Sequence, residues 1–259
     1  METPSLTNIK NLLTYPFKDE KSGNKILVGS LLIVASFFIP VLPTLVVLGY
    51  LMQIAKRIID GDEQLSLPEW HQWLEYLKDG LKWFAAILLY SLPLIIITTI
   101  GYLVYFFSFF SMIALENSSG SSFFTVFLPM FGMVVFFICL FFVFIFAIIE
   151  IIFFPVSSMH VVHTEKFLSI LEINKWWPIL KKNFLGFVVA AIFFCGLYYF
   201  LILVISALYM SILLCFLIPI AMAPLTFLLG LWSIPLFAQA YREAMSEPAE
   251  QNLIEAAVK

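Results

Sequence analysis

Apolar residues in this chain come in long blocks separated by short polar clusters. Residues 123–149 carry no charge at all, and about 20 apolar residues already cross a hydrocarbon core of roughly 30 Å. In FFICLFFVFIFAII, residues 136–149, polar and apolar positions do not alternate, which excludes the two-residue period of a transmembrane barrel. The pattern predicts an all-α, polytopic integral membrane protein with three apolar helical hairpins, at about residues 26–55, 82–154 and 184–241. It places a single transmembrane domain at residues 1–245 and a cytoplasmic tail at 246–259.

The first hairpin is the shortest. Its block LIVASFFIPVLPTLVVLGYL holds Pro40 and Pro43 near the middle. One helix over residues 26–55 would reach about 45 Å, whereas two arms, 26–39 and 44–55, reach only about 18–21 Å each. Arms that short predict a re-entrant hairpin, in preference to a strongly tilted and kinked span. The second hairpin turns at ENSSGSS, residues 116–122, and the third at LIPIAMAP, residues 217–224.

Between the hairpins lie segments of a different pattern. In SLPEWHQWLEYLKDGLKWF, residues 66–84, Ser66 and Glu69 have capping-box spacing. Trp70, Trp73, Leu74, Leu77, Leu81 and Phe84 share a helical face opposite Glu69, Gln72, Glu75 and Asp79. The segment TEKFLSILEINKWWPILKKNF, residues 164–184, repeats the design with Trp176 and Trp177. Both read as cytoplasmic interfacial amphipathic helices, anchored at headgroup depth by Trp70, Trp73, Trp176 and Trp177. Gly80 is the expected bend into the second hairpin. A shift of 103 positions aligns WLEYLKDGLKWF with WWPILKKNFLGF at Trp, Leu, Lys and Phe, which raises an internal duplication or convergent amphipathicity.

Charge sets the orientation. All 14 Lys and Arg fall in four clusters: Lys10 to Lys25, Lys56 to Lys82, Lys166 to Lys182, and Arg242 with Lys259. None falls in the three turns. Basic residues mark the cytoplasmic side, so each block must go out and return, with both termini cytoplasmic. The first 25 residues lack a basic start followed by a short apolar core, so the first block is expected to act as an uncleaved insertion signal.

Residues of the first third, including YPFKDEKSGNKILVGSLL, the double-proline turn and GYLMQIAKRIIDGDEQLSLPEWHQWLEYLKDGLKWF, carry a resemblance. Over residues 15–84 the chain resembles the domain-of-unknown-function family 4013. That likeness implies a prokaryotic integral membrane protein of the cytoplasmic membrane and transfers no activity or catalytic residue.

Candidate chemistry is sparse. Glu150 is the acidic residue within the long block FAIIEIIFFP, where a carboxylate suggests a proton or cation site; counted from Phe123 it lies about 40 Å along a helix, at the interface. His160 and His163 share a helical face but lack a third metal ligand. Cys139, Cys195 and Cys215 stand alone in apolar runs, as buried thiols do. No Gly-rich phosphate loop, nucleophile elbow, HExxH or paired intramembrane aspartates occur, so no catalytic, cofactor or metal residue is assigned. The expected function is a non-enzymatic membrane component that organises lipid or binds membrane proteins, a second copy among them, with no nucleic-acid partner. A small permease or transporter accessory subunit is the alternative.

Overall fold

The computed structural model describes residues 11–18, 20–62, 66–116, 122–210 and 217–258. Among these the regular elements are helices: α1 (Ser22–Ala35), α2 (Leu42–Asp60), α3 (Trp73–Glu116), α4 (Ser122–Thr164), α5 (Ile173–Lys182), α6 (Phe184–Met210) and α7 (Ile218–Val258). Short 3-10 turns lie at Tyr15–Phe17 and Phe167–Leu171. The chain divides into two compact units, one of Met1–Ile87 with Ile152–Lys259, the other Leu88–Ile151.

In the first unit α7 is the hub, packed against α1, α2, α5 and α6. Its core holds Tyr50, Ile58, Phe227, Leu231, Ala238 and Tyr241, with Trp83 from α3 and Val156 and Met159 from α4. Residues 155–162 of α4 are buried without a break, so this stretch is enclosed on every side. Two helix contacts are close because glycine leaves room. A Cβ on Gly49 would overlap the carbonyl of Tyr76, and one on Gly80 the carbonyl of Leu45, so α2 and α3 cross in direct backbone contact. Gly80 therefore serves close approach, and α3 is helical through it.

Pro235 lies inside α7 and lacks the N–H that would bond the carbonyl of Leu231. Tyr15, buried in the core, supplies the missing donor: its hydroxyl donates to that carbonyl at 3.0 Å. Burial pushes the Tyr15 phenol well above its ordinary range, so it stays a donor. The neighbouring Trp232 donates its indole N–H to the carbonyl of Leu13 at 3.0 Å. Tyr15→Phe should then lower stability by roughly 1–3 kcal/mol. In a Pro235→Ala background, where the helix satisfies its own carbonyl, most of that loss should vanish. Thermal unfolding of the four variants in detergent measures the coupling, and equal losses in both backgrounds would refute it.

The second unit is a helical hairpin made from parts of α3 and α4. Small residues seat its arms: Gly101 faces Cys139, and Gly132 faces Ser108 so closely that a Cβ there would overlap it. Small-residue contacts of this kind let apolar helices approach where no hydrophobic force drives them together. Phe107, Phe110, Phe123, Phe137, Phe141 and Phe144 point outward.

Among the described residues five helices are long and apolar enough to cross a membrane: Leu42–Asp60, Trp73–Ile113, Val126–Thr164, Phe184–Met210 and Ile218–Ser246. They differ in what covers them. In α2, 61% of the apolar window is buried by protein, against 6% in α3 and in α4. Rings and methyls on α3 and α4 thus face outward, where only hydrocarbon or another apolar surface can meet them.

The connection between α1 and α2 is apolar as well. Phe37, Phe38, Ile39, Val41 and Leu42 are exposed, Phe38 at 82%. Its backbone is nonetheless well bonded: the N–H groups of Ser36, Phe37, Phe38 and Ile39 donate to carbonyls between Leu32 and Ala35, and Thr44 caps the carbonyl of Pro40. Pro40 and Pro43 remove two donors from the turn.

Three local features differ from the sequence reading. Residues 66–72 are not helical, and α3 begins at Trp73, because side chains from other helices claim the carbonyls of this stretch before a first helical turn can. The predicted turn at 217–224 lies largely within α7, which starts at Ile218; Pro219 is tolerated there because a first-turn residue needs no N–H partner. The segment that joins α6 to α7, residues 211–217, lies almost wholly outside the described residues, as does the ENSSGSS turn. Trp73 and Trp176, aligned by the 103-residue shift, sit in unlike surroundings, one exposed at the start of α3 and the other buried on α5.

Candidate functional site

The densest polar construction in the first unit is built around residues 67–70. Lys25 on α1 is almost wholly buried, and its ammonium donates to the carbonyl of Leu67 at 2.8 Å. The hydroxyl of Tyr50 on α2 donates to the carbonyl of Pro68 at 3.1 Å, and that of Tyr76 on α3 to the carbonyl of Glu69 at 2.5 Å. Trp70 bonds in the opposite direction, its indole N–H donating to the carbonyl of Lys25 at 2.9 Å. Three successive carbonyls are thereby capped by three helices, which is why the segment is held extended as a strap.

An aromatic stack completes it. Tyr50 and Trp70 lie parallel with centroids 4.0 Å apart, Trp73 stacks beyond Trp70 at 5.5 Å, and Tyr76 meets both Tyr50 and Trp70 edge-on. Phe227 of α7 closes the group. Lys25 also pairs with Glu69 at 2.9 Å, its side chain 6% exposed and that of Glu69 54%. The hydrogen bond from Lys25 holds the Glu69 carboxyl below the usual carboxylate range.

A second polar group surrounds His160 on α4. His160 is buried; its Nδ1 shares a 2.8 Å hydrogen bond with the hydroxyl of Tyr241 on α7. Its Nε2 lies 3.5 Å from Glu172 and has no hydrogen-bond partner, since that separation is longer than a normal hydrogen bond. Glu172 is held below the usual range chiefly by Lys175, 3.1 Å away. Nearby, Trp83 donates to Ser158 at 2.6 Å, and Thr164 bonds the carbonyl of His160 and the hydroxyl of Ser169. Lys56 of α2 pairs with Glu165, the non-glycine residue held at φ 56 just past the end of α4.

The residues singled out in the sequence are thus scattered. His163 is exposed, its ring against Tyr241, while His160 points into the core. Among the described residues no group of three or more His, Cys, Asp or Glu is placed to hold a metal ion. Glu150 is half-buried on α4 beside Tyr90 of α3. Of the four tryptophans expected as anchors, Trp73 and Trp177 are exposed, Trp70 is half-buried in its stack, and Trp176 is buried, donating to the carbonyl of Ile170 at 3.0 Å. Cys139 is half-buried and Cys195 exposed on α6, so the expectation of a buried thiol fails for Cys195. Cys215 lies outside the described residues. In the second unit Tyr105, Phe109, Pro129, Met130 and Met133 line an apolar cavity of about 170 Å³, smaller than the roughly 300 Å³ at which small-molecule pockets begin.

Sequence reasoning missed Lys25, Tyr50 and Tyr76. A lysine four residues into an apolar helix and aromatics on both sides of SLPEW were the available signals.

Among the described residues, regular structure that is wholly helical and five helices long and apolar enough to cross a membrane define this molecule as an all-α polytopic membrane protein. The chain belongs to the family described as "Protein of unknown function (DUF4013)", whose profile matches residues 32–210. That match starts after YPFKDEKSGNK and runs well past Phe84 to the end of α6, so the likeness covers the second hairpin, α5 and α6 as well as the strap. No curated protein and no solved structure matches the chain.

Proposed function

We propose that this chain is a non-enzymatic integral membrane component that organises lipid and docks membrane partners, a second copy among them. One contrast carries the reading. Lys25, Tyr50, Tyr76, Trp70 and Tyr15 each hydrogen-bond into the protein's own backbone, whereas the surfaces offered outward on α3 and α4 are rings and methyls. Polar groups that hold a frame together are not free for substrate chemistry, and an aromatic exterior suits lipid chains and apolar partners.

In this reading α1 and α2 form a re-entrant hairpin. A helix of 14 residues reaches about 21 Å, and the exposed FFIPVL turn with its bonded backbone suits hydrocarbon better than water. Both termini, the strap and α5 then lie on the cytoplasmic side, with α5 along the interface. Single cysteines placed at Lys21, Asp62 and Glu172 in a cysteine-free chain should label from the cytoplasm and one at Ser119 from outside. Labelling of the Asp62 position from outside would end the re-entrant reading.

A permease is the second reading, favoured by the half-buried Glu150 and by the unbonded Nε2 of buried His160. The two are separated by reconstituting the full chain in phosphatidylcholine vesicles. A lipid organiser should shift the vesicle diameter distribution while an imposed pH gradient decays as in protein-free vesicles. A leak that scales with protein copies and disappears in Glu150→Gln would promote the permease.

A further inference from the structure

We propose that Lys181, Lys182 and the indole N–H of Trp177 form a site for the phosphate of an anionic phospholipid where α6 enters the membrane. The inference rests on the membrane reading above and names the lipid class that this surface selects.

Helix α5 is sharply two-sided: Trp176 and Leu180 are buried, while Trp177, Lys181 and Lys182 face outward. The start of α6 sets their depth. Phe184 and Leu185 are exposed at the first turn of this 27-residue apolar helix, so the two lysines lie within one turn of the hydrocarbon edge, at the level of headgroup phosphates. Ring contacts also place the side chains. Trp177 stacks on Phe153 at 5.5 Å, and the Lys181 ammonium sits 5.2 Å over the indole ring, a contact that fixes the charge without neutralising it.

Charge complementarity supplies the occupant. Two ammonium groups elsewhere in the first unit have partners, Lys56 with Glu165 and Lys175 with Glu172. Lys181 and Lys182 make no ion pair among the described residues. Hydrogen-bond donors show the same division. Trp70, Trp83, Trp176 and Trp232 each donate their N–H inside the protein, but the Trp177 N–H has no acceptor among the described residues. Two cations and one open N–H at phosphate depth fit a phosphodiester oxygen. A zwitterionic choline headgroup brings its own cation and gains less. Near an anionic surface each lysine is worth about fivefold in binding.

The test is native mass spectrometry of the full chain in detergent, titrated separately with phosphatidylglycerol and phosphatidylcholine. The first phosphatidylglycerol should bind on the order of tenfold tighter than phosphatidylcholine. Lys181→Gln with Lys182→Gln should bring it to the phosphatidylcholine level, Trp177→Phe should weaken it by a smaller factor, and the double Arg variant should retain it. Loss of the Lys78 charge, remote in sequence on α3, should change nothing. Equal binding of the two lipids by the native chain, or a preference that survives the double Gln variant, would overturn the site. Carbonate extraction of the chain from membranes would instead overturn the membrane reading beneath it, so the two failures are distinguishable.

Discussion

Gly49→Ala and Gly80→Ala each lower stability by ~3 kcal/mol or more, enough to unfold the first unit in detergent at ordinary temperatures. A methyl at either position would overlap a backbone carbonyl, that of Tyr76 or that of Leu45. Backbone cannot swing aside as the end of a flexible side chain can, so α2 and α3 must separate. Separation would pull Tyr50 and Tyr76 from the strap carbonyls they cap and open the stack on Trp70. Gly23 and Gly196 are the internal controls, because a Cβ at either meets nothing within 4 Å. Alanine there should be neutral or stabilising by up to about 1 kcal/mol, the ordinary gain for glycine replaced in a helix. Thermal unfolding followed by circular dichroism measures all four; a mild effect at Gly49 would mean that the helices do not touch there.

The parts of this fold that answer to the bilayer were legible. Apolar blocks longer than a hydrocarbon core must be helices, and the double proline at 40 and 43 had to break one of them, as the turn between α1 and α2 does. Long-range polar bonds were not legible. Lys25 and Leu67 are 42 positions apart, and no local pattern marks a carbonyl as the acceptor of a distant ammonium. The same blindness misplaced the start of α3: Ser66 and Glu69 have capping-box spacing, but Glu69 is taken by Lys25 and its carbonyl by Tyr76. Hydrophobic periodicity marked the outward face of α3 and was silent on the inward one. Trp73, Leu74 and Leu81 are exposed, while Tyr76, Gly80, Trp83 and Ala86 form the buried stripe, because in a lipid solvent the small and hydrogen-bonding residues are the ones that seek protein. Of the candidate residues, spacing could pair His160 with His163 on one side of a helix but could not tell which is enclosed.

Lys25→Met removes a buried ammonium whose shape methionine nearly keeps, and the expected result is a loss of about 2 kcal/mol, the worth of a charge-assisted hydrogen bond to the Leu67 carbonyl. Lys56→Met is the comparison. Lys56 and Glu165 are 45% and 47% exposed, and a solvated pair of that kind contributes at most about 1 kcal/mol. The larger effect must therefore come from the lysine with fewer water contacts. Its consequences should also be local: with the Leu67 carbonyl released, the strap loosens, Trp70 loses its parallel contact with Tyr50, and quenching of tryptophan fluorescence by an aqueous quencher rises in Lys25→Met but not in Lys56→Met. The sign of the pH dependence is fixed by the same pair. Because Lys25 holds the Glu69 carboxyl below the usual range, the stabilisation from this pair is present above the unfolded value near ~4.3 and is lost as pH falls through the lower folded value. Native chain should lose that increment on acidification, and Lys25→Met, which has no partner for Glu69, should not. Equal losses in Lys25→Met and Lys56→Met, with tryptophan accessibility unchanged in both, would show that the strap is held by its aromatic stack alone.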